Sequence, residues 1–436
     1  MKKWMFGASL LLLSSVLISA CGGSGGGNSS PPSQGASGGP ASVEEAGDPV
    51  TLTMYSWRPE DAEGYRVLIE EFNKTNPNIN IEFKPFKSTE YNTILNNTLH
   101  SGTGVDILQL RPYDAAIALA DAGFLTPLDG LAGLDQIPDV YQEAAKGSDG
   151  NVYGVPFMLN NAVIFYNKEM FDELGLEVPE TYEEFLAVCE QLLNNGITPI
   201  AQSGKAGYLL SMTHAVIGES AYGGNEFAQA VVAGETDFND PRFVESIARM
   251  KQLEAFFPKD FIAIEDKDAQ AMFYNRDAAM YINGSHRLET FSENDLDFTV
   301  DFFTGFAENK GESADIVTWV DGSYAVAKSS EHQEQALKFL EFVASESFGQ
   351  TFSEKLTRVS PISGVEPANP LLQRMAQANS ERSTPYLILT NFNQGAPTSK
   401  SIFEDSLQGM YLNKLTPEEV ASTFQASVNK WFKPKP

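Results

Sequence analysis

Short β-rich runs that hand over directly to helical runs constrain this chain more than any other feature. Val50-Thr51-Leu52-Thr53-Met54-Tyr55 is a β-forming stretch, and residues 63–73 then space Tyr65, Leu68, Ile69 and Phe72 as one face of a helix would. Asn76-Pro77-Asn78 stops that helix ahead of a second strand at 79–86. A helix around 91–99 leads through Ser101-Gly102-Thr103-Gly104 into a strand at 105–110, whose apolar run suits a strand buried on both faces. This alternation predicts an α/β layer architecture. Ligands of open α/β sheets lie beyond the C-terminal ends of strands, so Trp57, Arg58, Arg111 and Tyr113 are expected to face a cleft.

Further along, Thr181-Tyr182-Glu183-Glu184 predicts a capping box heading a helix that ends before Asn194-Asn195-Gly196. Helices are expected at 241–256 and 266–273. The latter feeds a strand at 278–282 that ends in Asn283-Gly284-Ser285-His286-Arg287, a second turn of the ligand-reaching type. Residues 296–303 read as a strand, 319–327 as a turn plus strand, and 331–344 as an amphipathic helix. Two terminal helices follow at 401–412 and 417–432, the last with Thr416 as N-cap and Pro417 at its first position. Tyr411 and Trp431, on those helices, read as packing residues.

Met1-Lys2-Lys3, an apolar stretch at 10–18 and the small residues before Cys21 have the pattern of an export signal, too short for an ordinary membrane span. The segment Leu17-Ile18-Ser19-Ala20-Cys21-Gly22 resembles a bacterial lipoprotein signal. That resemblance implies removal of residues 1–20, a lipid on Cys21, and anchorage at the outer face of a membrane. The alternative is a plain secretory signal with an incidental cysteine. Residues 21–49, dominated by Gly, Ser, Pro, Ala and Gln, cannot bury enough apolar surface to offset their ordering and are expected to be a flexible tether.

The remaining 387 residues suit two lobes better than one core. The full chain carries 30 basic and 58 acidic side chains, a formal charge of −28. Such a field repels phosphate backbones, and no basic tract offsets it, so no nucleic-acid partner is expected. If Cys21 is lipidated, the only other cysteine, Cys189, has no disulfide partner, and its place on an apolar helical stripe makes it a buried small hydrophobe.

Signatures of catalysis are missing. The sequence has no phosphate-binding Gly loop followed by Lys-Ser/Thr, no dinucleotide fingerprint and no Gly-x-Ser-x-Gly elbow. His100, His214, His286 and His332 lack metal-ligand spacing. The expectation is therefore no metal, no cofactor and no catalytic residue. Any two of the 58 acids could be imagined as a glycosidase pair, but abundant surface Asp and Glu explain them without chemistry.

Three blocks then combine. Tyr153-Gly154-Val155-Pro156-Phe157 is followed by Val163-Ile164-Phe165-Tyr166-Asn167-Lys168-Glu169-Met170-Phe171 and by Val178-Pro179-Glu180-Thr181-Tyr182-Glu183-Glu184-Phe185. Next come Ala278-Ala279-Met280-Tyr281-Ile282-Asn283-Gly284, and later Ala325-Val326-Ala327 with Ala336-Leu337-Lys338-Phe339-Leu340-Glu341-Phe342 and Ser360-Pro361. In this order the chain resembles the extracellular carbohydrate-binding proteins of bacterial ABC importers, family 1 solute-binding proteins related to maltose-binding protein, across essentially all of 50–436. The resemblance implies a two-lobed periplasmic-binding-protein-like α/β fold with interlobe hinge strands and a central cleft. It places the first lobe at 50–156 and 321–360, and the second at 157–320 and mainly 361–436.

The implied activity is capture of an oligosaccharide and its delivery to an ABC permease by lobe closure, with no enzymatic step. Flat aromatics for sugar C–H faces and multi-bonded polar groups for hydroxyls then select the site residues. They are Trp57 for stacking, Arg58 and Arg111 as donors, Glu60 as acceptor, and Asn160, Asn161, His214, His286, Arg287, Trp319 and Asp321 from the hinge and second lobe. The aromatic supply points to a di- to tetrasaccharide, possibly α-linked, bound by a monomer. A non-sugar solute and, more remotely, an anchored glycoside hydrolase are the competing readings.

Overall fold

A single continuous sheet organises the chain, seen in a computed structural model that describes residues 49–434. The leader, Cys21 and all of the tether except Pro49 lie outside the described residues. The strands are β1 (Val50–Ser56), β2 (Ile79–Pro85), β3 (Ile107–Leu110), β4 (Val155–Asn167), β5 (Thr198–Ile200), β6 (Ala278–Gly284), β7 (Val300–Phe303), β8 (Ile316–Val326) and β9 (Ser383–Pro385). Their order is β2-β1-β3-β8-β4-β6-β5, with β7 on β4 and β9 on β8. β1 is parallel to β2 and β3, and β8 runs antiparallel to β3 and β4. Helices and turns link β1, β2 and β3, as parallel neighbours require.

β4 and β8 divide the fold into its two lobes. All 13 residues of β4 are buried, so it reads as a run apolar on both faces, interrupted only by Asn160, Asn161 and Asn167. Its first half pairs with β8, and its second half turns to β6 and β7. On one side, an apolar core joins residues between Leu52 and Met158 to residues between Tyr324 and Ile362. On the other, a larger core runs from Ala162 to Trp319 and on through Tyr386, Phe403 and Phe424 to Val428. Among the described residues no helix is long and apolar enough to cross a membrane.

Several expectations change. The turn expected at the start of 319–327 is absent, because β8 runs from Ile316 to Val326 and pairs with β4 on both sides of an irregularity at Asp321. Thr181 caps its helix by accepting from the Glu184 N–H, but the Glu184 carboxylate reaches back to the Glu180 N–H, at 3.0 Å, and to Lys310. The reciprocal capping box forms instead at Thr416 and Glu419. That last helix ends at Val428, short of Trp431.

The helix Gly207–Tyr222 was not anticipated, since it is buried nearly all round and so has no apolar stripe to read. It also relocates His214. That side chain, 1 % exposed, lies among Tyr222, Phe243 and Phe403, with Nε2 2.8 Å from the Ser246 hydroxyl. His214 is a core residue of the second lobe and not a cleft residue.

Two buried titratable groups on this helix make stability depend on pH in opposite directions. Burial pushes the His214 imidazole down to about 3, so the folded chain resists a proton that the unfolded chain accepts below its ordinary value. Stability from this group is complete above about pH 6.5 and is lost as pH falls toward 3. Burial, aided by Asp315 and opposed by Arg382, pushes the Glu219 carboxyl up to about 8. The unfolded chain then ionises Glu219 first, and stability falls as pH rises from about 4.5 to about 8.

Thermal or denaturant unfolding across pH checks both. His214→Phe keeps the aromatic packing and leaves the Ser246 hydroxyl its bond to the Phe243 carbonyl. Relative to the difference at pH 7, this variant gains about 2 kcal/mol over the parent at pH 5. Glu219→Gln gains about 3 kcal/mol over the parent on going from pH 5 to pH 8. Parallel pH profiles for parent and variant would refute either assignment.

Candidate functional site

The end of β1 is tied to β3 by one buried amide. The Gln109 side-chain oxygen accepts from the Ser56 hydroxyl at 2.8 Å and from the Trp57 N–H at 2.9 Å, and the Ser56 hydroxyl accepts from the Arg58 N–H at 3.0 Å. This fixes Trp57 and Arg58 beside Arg111, which leaves the end of β3. The Arg111 guanidinium lies 4.5 Å over the Trp57 ring and donates to Asn92 at 2.9 Å and to the Ser88 hydroxyl at 2.8 Å. Tyr91 meets the Trp57 ring edge-on at 5.4 Å. Trp57 is thereby buried to 4 % exposure, with a face covered by Arg111, and offers a ligand less stacking surface than its sequence position suggested.

Arg58 crosses to Asp321 on β8 and lies 3.6 Å from the exposed Glu60 carboxylate. Burial works against the Arg58 charge, but Asp321, Asp61 and Glu60 outweigh it and raise its pKa. Burial likewise opposes the Asp321 charge, and Arg58 prevails, holding that carboxyl below its ordinary value. The nearby Asn160 side chain also favours the Asp321 charge, and its amide oxygen accepts from the Ser285 hydroxyl at 3.2 Å. Trp57, Arg58, Glu60, Arg111 and Asp321 together line a cavity of about 500 Å³.

His286 lies where β6 turns into the next helix; burial and the adjacent Arg287 push its imidazole down, so it is a neutral donor and acceptor. Arg287 pairs with Asp266, which also accepts from the Tyr208 and Tyr281 hydroxyls at 2.7 and 2.8 Å. Behind these groups Arg358, 3 % exposed, joins Asp61 at 3.1 Å to Glu289 at 2.9 Å and so ties the turn after β1 to the helix after β6. Sequence reasoning missed Arg358 and both of its partners, since pairings across 297 and 69 residues leave no local signal.

Trp319 lines a second cavity of about 640 Å³ with Tyr113, Asp114, Tyr141 and Gln394. Tyr386 meets its ring edge-on at 5.5 Å. Tyr113 has φ 60°, an uncommon conformation for a residue with a side chain, and its hydroxyl accepts from the Val320 N–H at 3.0 Å. Gln394 donates to Asp114 across the cavity, a contact with no sequence signal at Gln394.

The structure does not bring Asn161 to either cavity. Neighbouring strand residues point to opposite faces, so Asn161 turns away from Asn160 and donates to Thr318 and Asn379, each at 2.8 Å. It clamps β4 to β8 and to the helix Pro370–Glu381. With His214 in the core, six of the eleven sequence-selected residues line one of these cavities, namely Trp57, Arg58, Glu60, Arg111, Asp321 and Trp319, while Asn160 and His286 lie near Asp321 and Arg287 is turned to Asp266.

Comparison with known proteins places this geometry in context. The multiple sugar-binding protein of Streptococcus mutans is 26% identical over 303 residues, covering 68% of this chain and 71% of that protein. RafE of Streptococcus pneumoniae superposes with a TM-score of 0.75 at 21% identity, over 88% of this chain and 98% of that one. A structure of RafE with raffinose gives 0.72 at 21% identity, over 87% and 99%. At this identity the superpositions show the two-lobed fold alone. The family model for bacterial extracellular solute-binding proteins matches residues 56–349, two thirds of the sequence, and the chain belongs to that family.

Proposed function

We propose that this protein captures a neutral oligosaccharide of two to four residues outside the cell, with α-linked sugars the first candidates, and delivers it to an ABC-type permease when its lobes close. The observation that carries this reading is how the charges of the cleft pair off. Arg58 is matched by Asp321, Arg358 by Asp61 and Glu289, and Arg287 by Asp266, while Arg111 rests on a neutral amide and a hydroxyl. Arg111 is the one of these cations without a carboxylate partner, and the exposed Glu60 carboxylate lines the same cavity, so neither sign is in strong excess for an amine or an anion. What remains is aromatic rings, amides and already oriented guanidinium groups, which match the C–H faces and hydroxyls of a sugar.

The relatives support the same class, one being named for sugars and another solved with raffinose. In this reading Trp57, Arg58, Glu60, Arg111, Asn160, His286, Arg287, Trp319 and Asp321 contact or border the ligand. This reading sets the lobe boundaries near 157 and 321, and the two largest apolar cores, which meet along β4 and β8, support it. Hinge closure about β4 and β8 converts occupancy into a shape that a permease reads. No group here is assigned a bond-breaking role, and the protein acts as a monomer held to the membrane by a lipid on Cys21.

A thermal-unfolding screen of residues 50–436 against mono- and oligosaccharides tests the class, because a ligand selective for the folded state raises stability by mass action. One oligosaccharide series is expected to raise the transition and to be recovered unchanged. A flat sugar panel alongside a response to amines or peptides would overturn it. Arg58→Met, which leaves Asp321 unmatched, is expected to weaken the best sugar at least about tenfold, read by calorimetric titration.

A further inference from the structure

Residues just beyond the last helix reach the larger of the two cavities. Trp431 and Phe432 follow the last helix, and both are half-buried and line the 640 Å³ cavity opposite Tyr113 and Asp114. They are held from behind. The Trp431 indole N–H donates to the Ser399 hydroxyl at 2.9 Å, and Phe432 meets Phe392 edge-on at 5.0 Å. A Cβ placed on Gly395 would lie 3.6 Å from the Trp431 ring, so this loop approaches the indole closely. The surface the two rings keep free is therefore fixed in direction, and it borders the cavity that Trp319 lines from β8.

Two anchored aromatic groups, with the Gln394 and Asn391 amides between them and Trp319, make a wall fit for a sugar ring: flat apolar surface for the C–H face and amides for the hydroxyls. Arg58 and Asp321 line the other cavity, and β8 carries Asp321 only two residues beyond Trp319. In the oligosaccharide reading, successive ligand residues occupy the two places.

We propose that the C-terminal segment, through Trp431 and Phe432, forms the far wall of the saccharide site and stacks on the ligand residue most remote from Arg58 and Asp321. This rests on the oligosaccharide reading above and adds to it a chain-length selector built from the residues just beyond the last helix. Neutral saccharides are the class concerned, because Asp114 and Glu143 border the same cavity across from the single cation Lys433.

The test is calorimetric titration of sucrose, raffinose and stachyose, which add one galactose at a time, and of glucose through maltotetraose. The proteins compared are the parent, Trp431→Ala, Trp431→Phe and Phe432→Leu. Trp431→Ala and Phe432→Leu are expected to weaken the longest ligand that the parent binds about tenfold and the shortest less than twofold, with Trp431→Phe close to the parent. Phe432→Leu keeps apolar packing on Phe392 while removing the flat face, so it remains informative if Trp431→Ala folds poorly. Equal losses at every length would mean that Trp431 acts only by holding the loop through Ser399, and would overturn the proposal. So would no loss at all, or binding by the parent confined to monosaccharides. Silence of the parent toward both series would overturn the oligosaccharide reading itself, and this wall with it.

Discussion

The antiparallel pairing of β4 with β8, buried along its length, is the constraint on which the rest of the structure depends. β4 passes from β8 to β6 and β7, and β8 passes from β4 to β3, so each lobe's sheet is hydrogen-bonded to the same two strands. Asn161 locks the pair from one face by bonding Thr318 and Asn379. From the other face Asn160 and Asp321 reach toward the cleft. A one-residue slip of β4 would exchange the clamp and the site, because side chains alternate across a strand.

Charge at the cleft is organised by the same scaffold. Buried ion pairs add little net stability once desolvation is counted, but leaving one partner alone is costly. Their effect is therefore mainly geometric. Arg58 is drawn toward β8, Arg287 toward Asp266, and Arg358 joins turns from both lobes. Each guanidinium is planar and already aimed, so in the proposed reading less side-chain freedom remains to be lost on binding.

Legibility in the sequence followed the range of the interactions. The strands at 50–56 and 278–284 and the helix at 62–73 were readable because local period and punctuation determine them. The strand-end rule located Trp57, Arg58, Arg111 and Tyr113 without knowledge of tertiary contacts. The covering of the Trp57 face was not readable, since it requires Arg111 from a strand 54 residues away. His214 misled because its helix has no polar face against which a buried histidine would stand out. Arg358 was silent for the opposite reason: it follows a helix as an ordinary surface arginine might, and only the fold surrounds it with Asp61 and Glu289.

Tyr113 shows how such a scaffold can govern time as well as affinity. Its backbone is held in a sparsely populated conformation while its hydroxyl accepts a hydrogen bond from the Val320 N–H of β8. A movement that draws the β3 loop away from β8 gives up that bond and lets the backbone relax, so two opposing contributions meet at one residue. If the proposed lobe closure turns on this contact, the dwell time of the closed form is partly a property of the protein's own main chain, adjustable without touching any atom proposed to recognise the cargo.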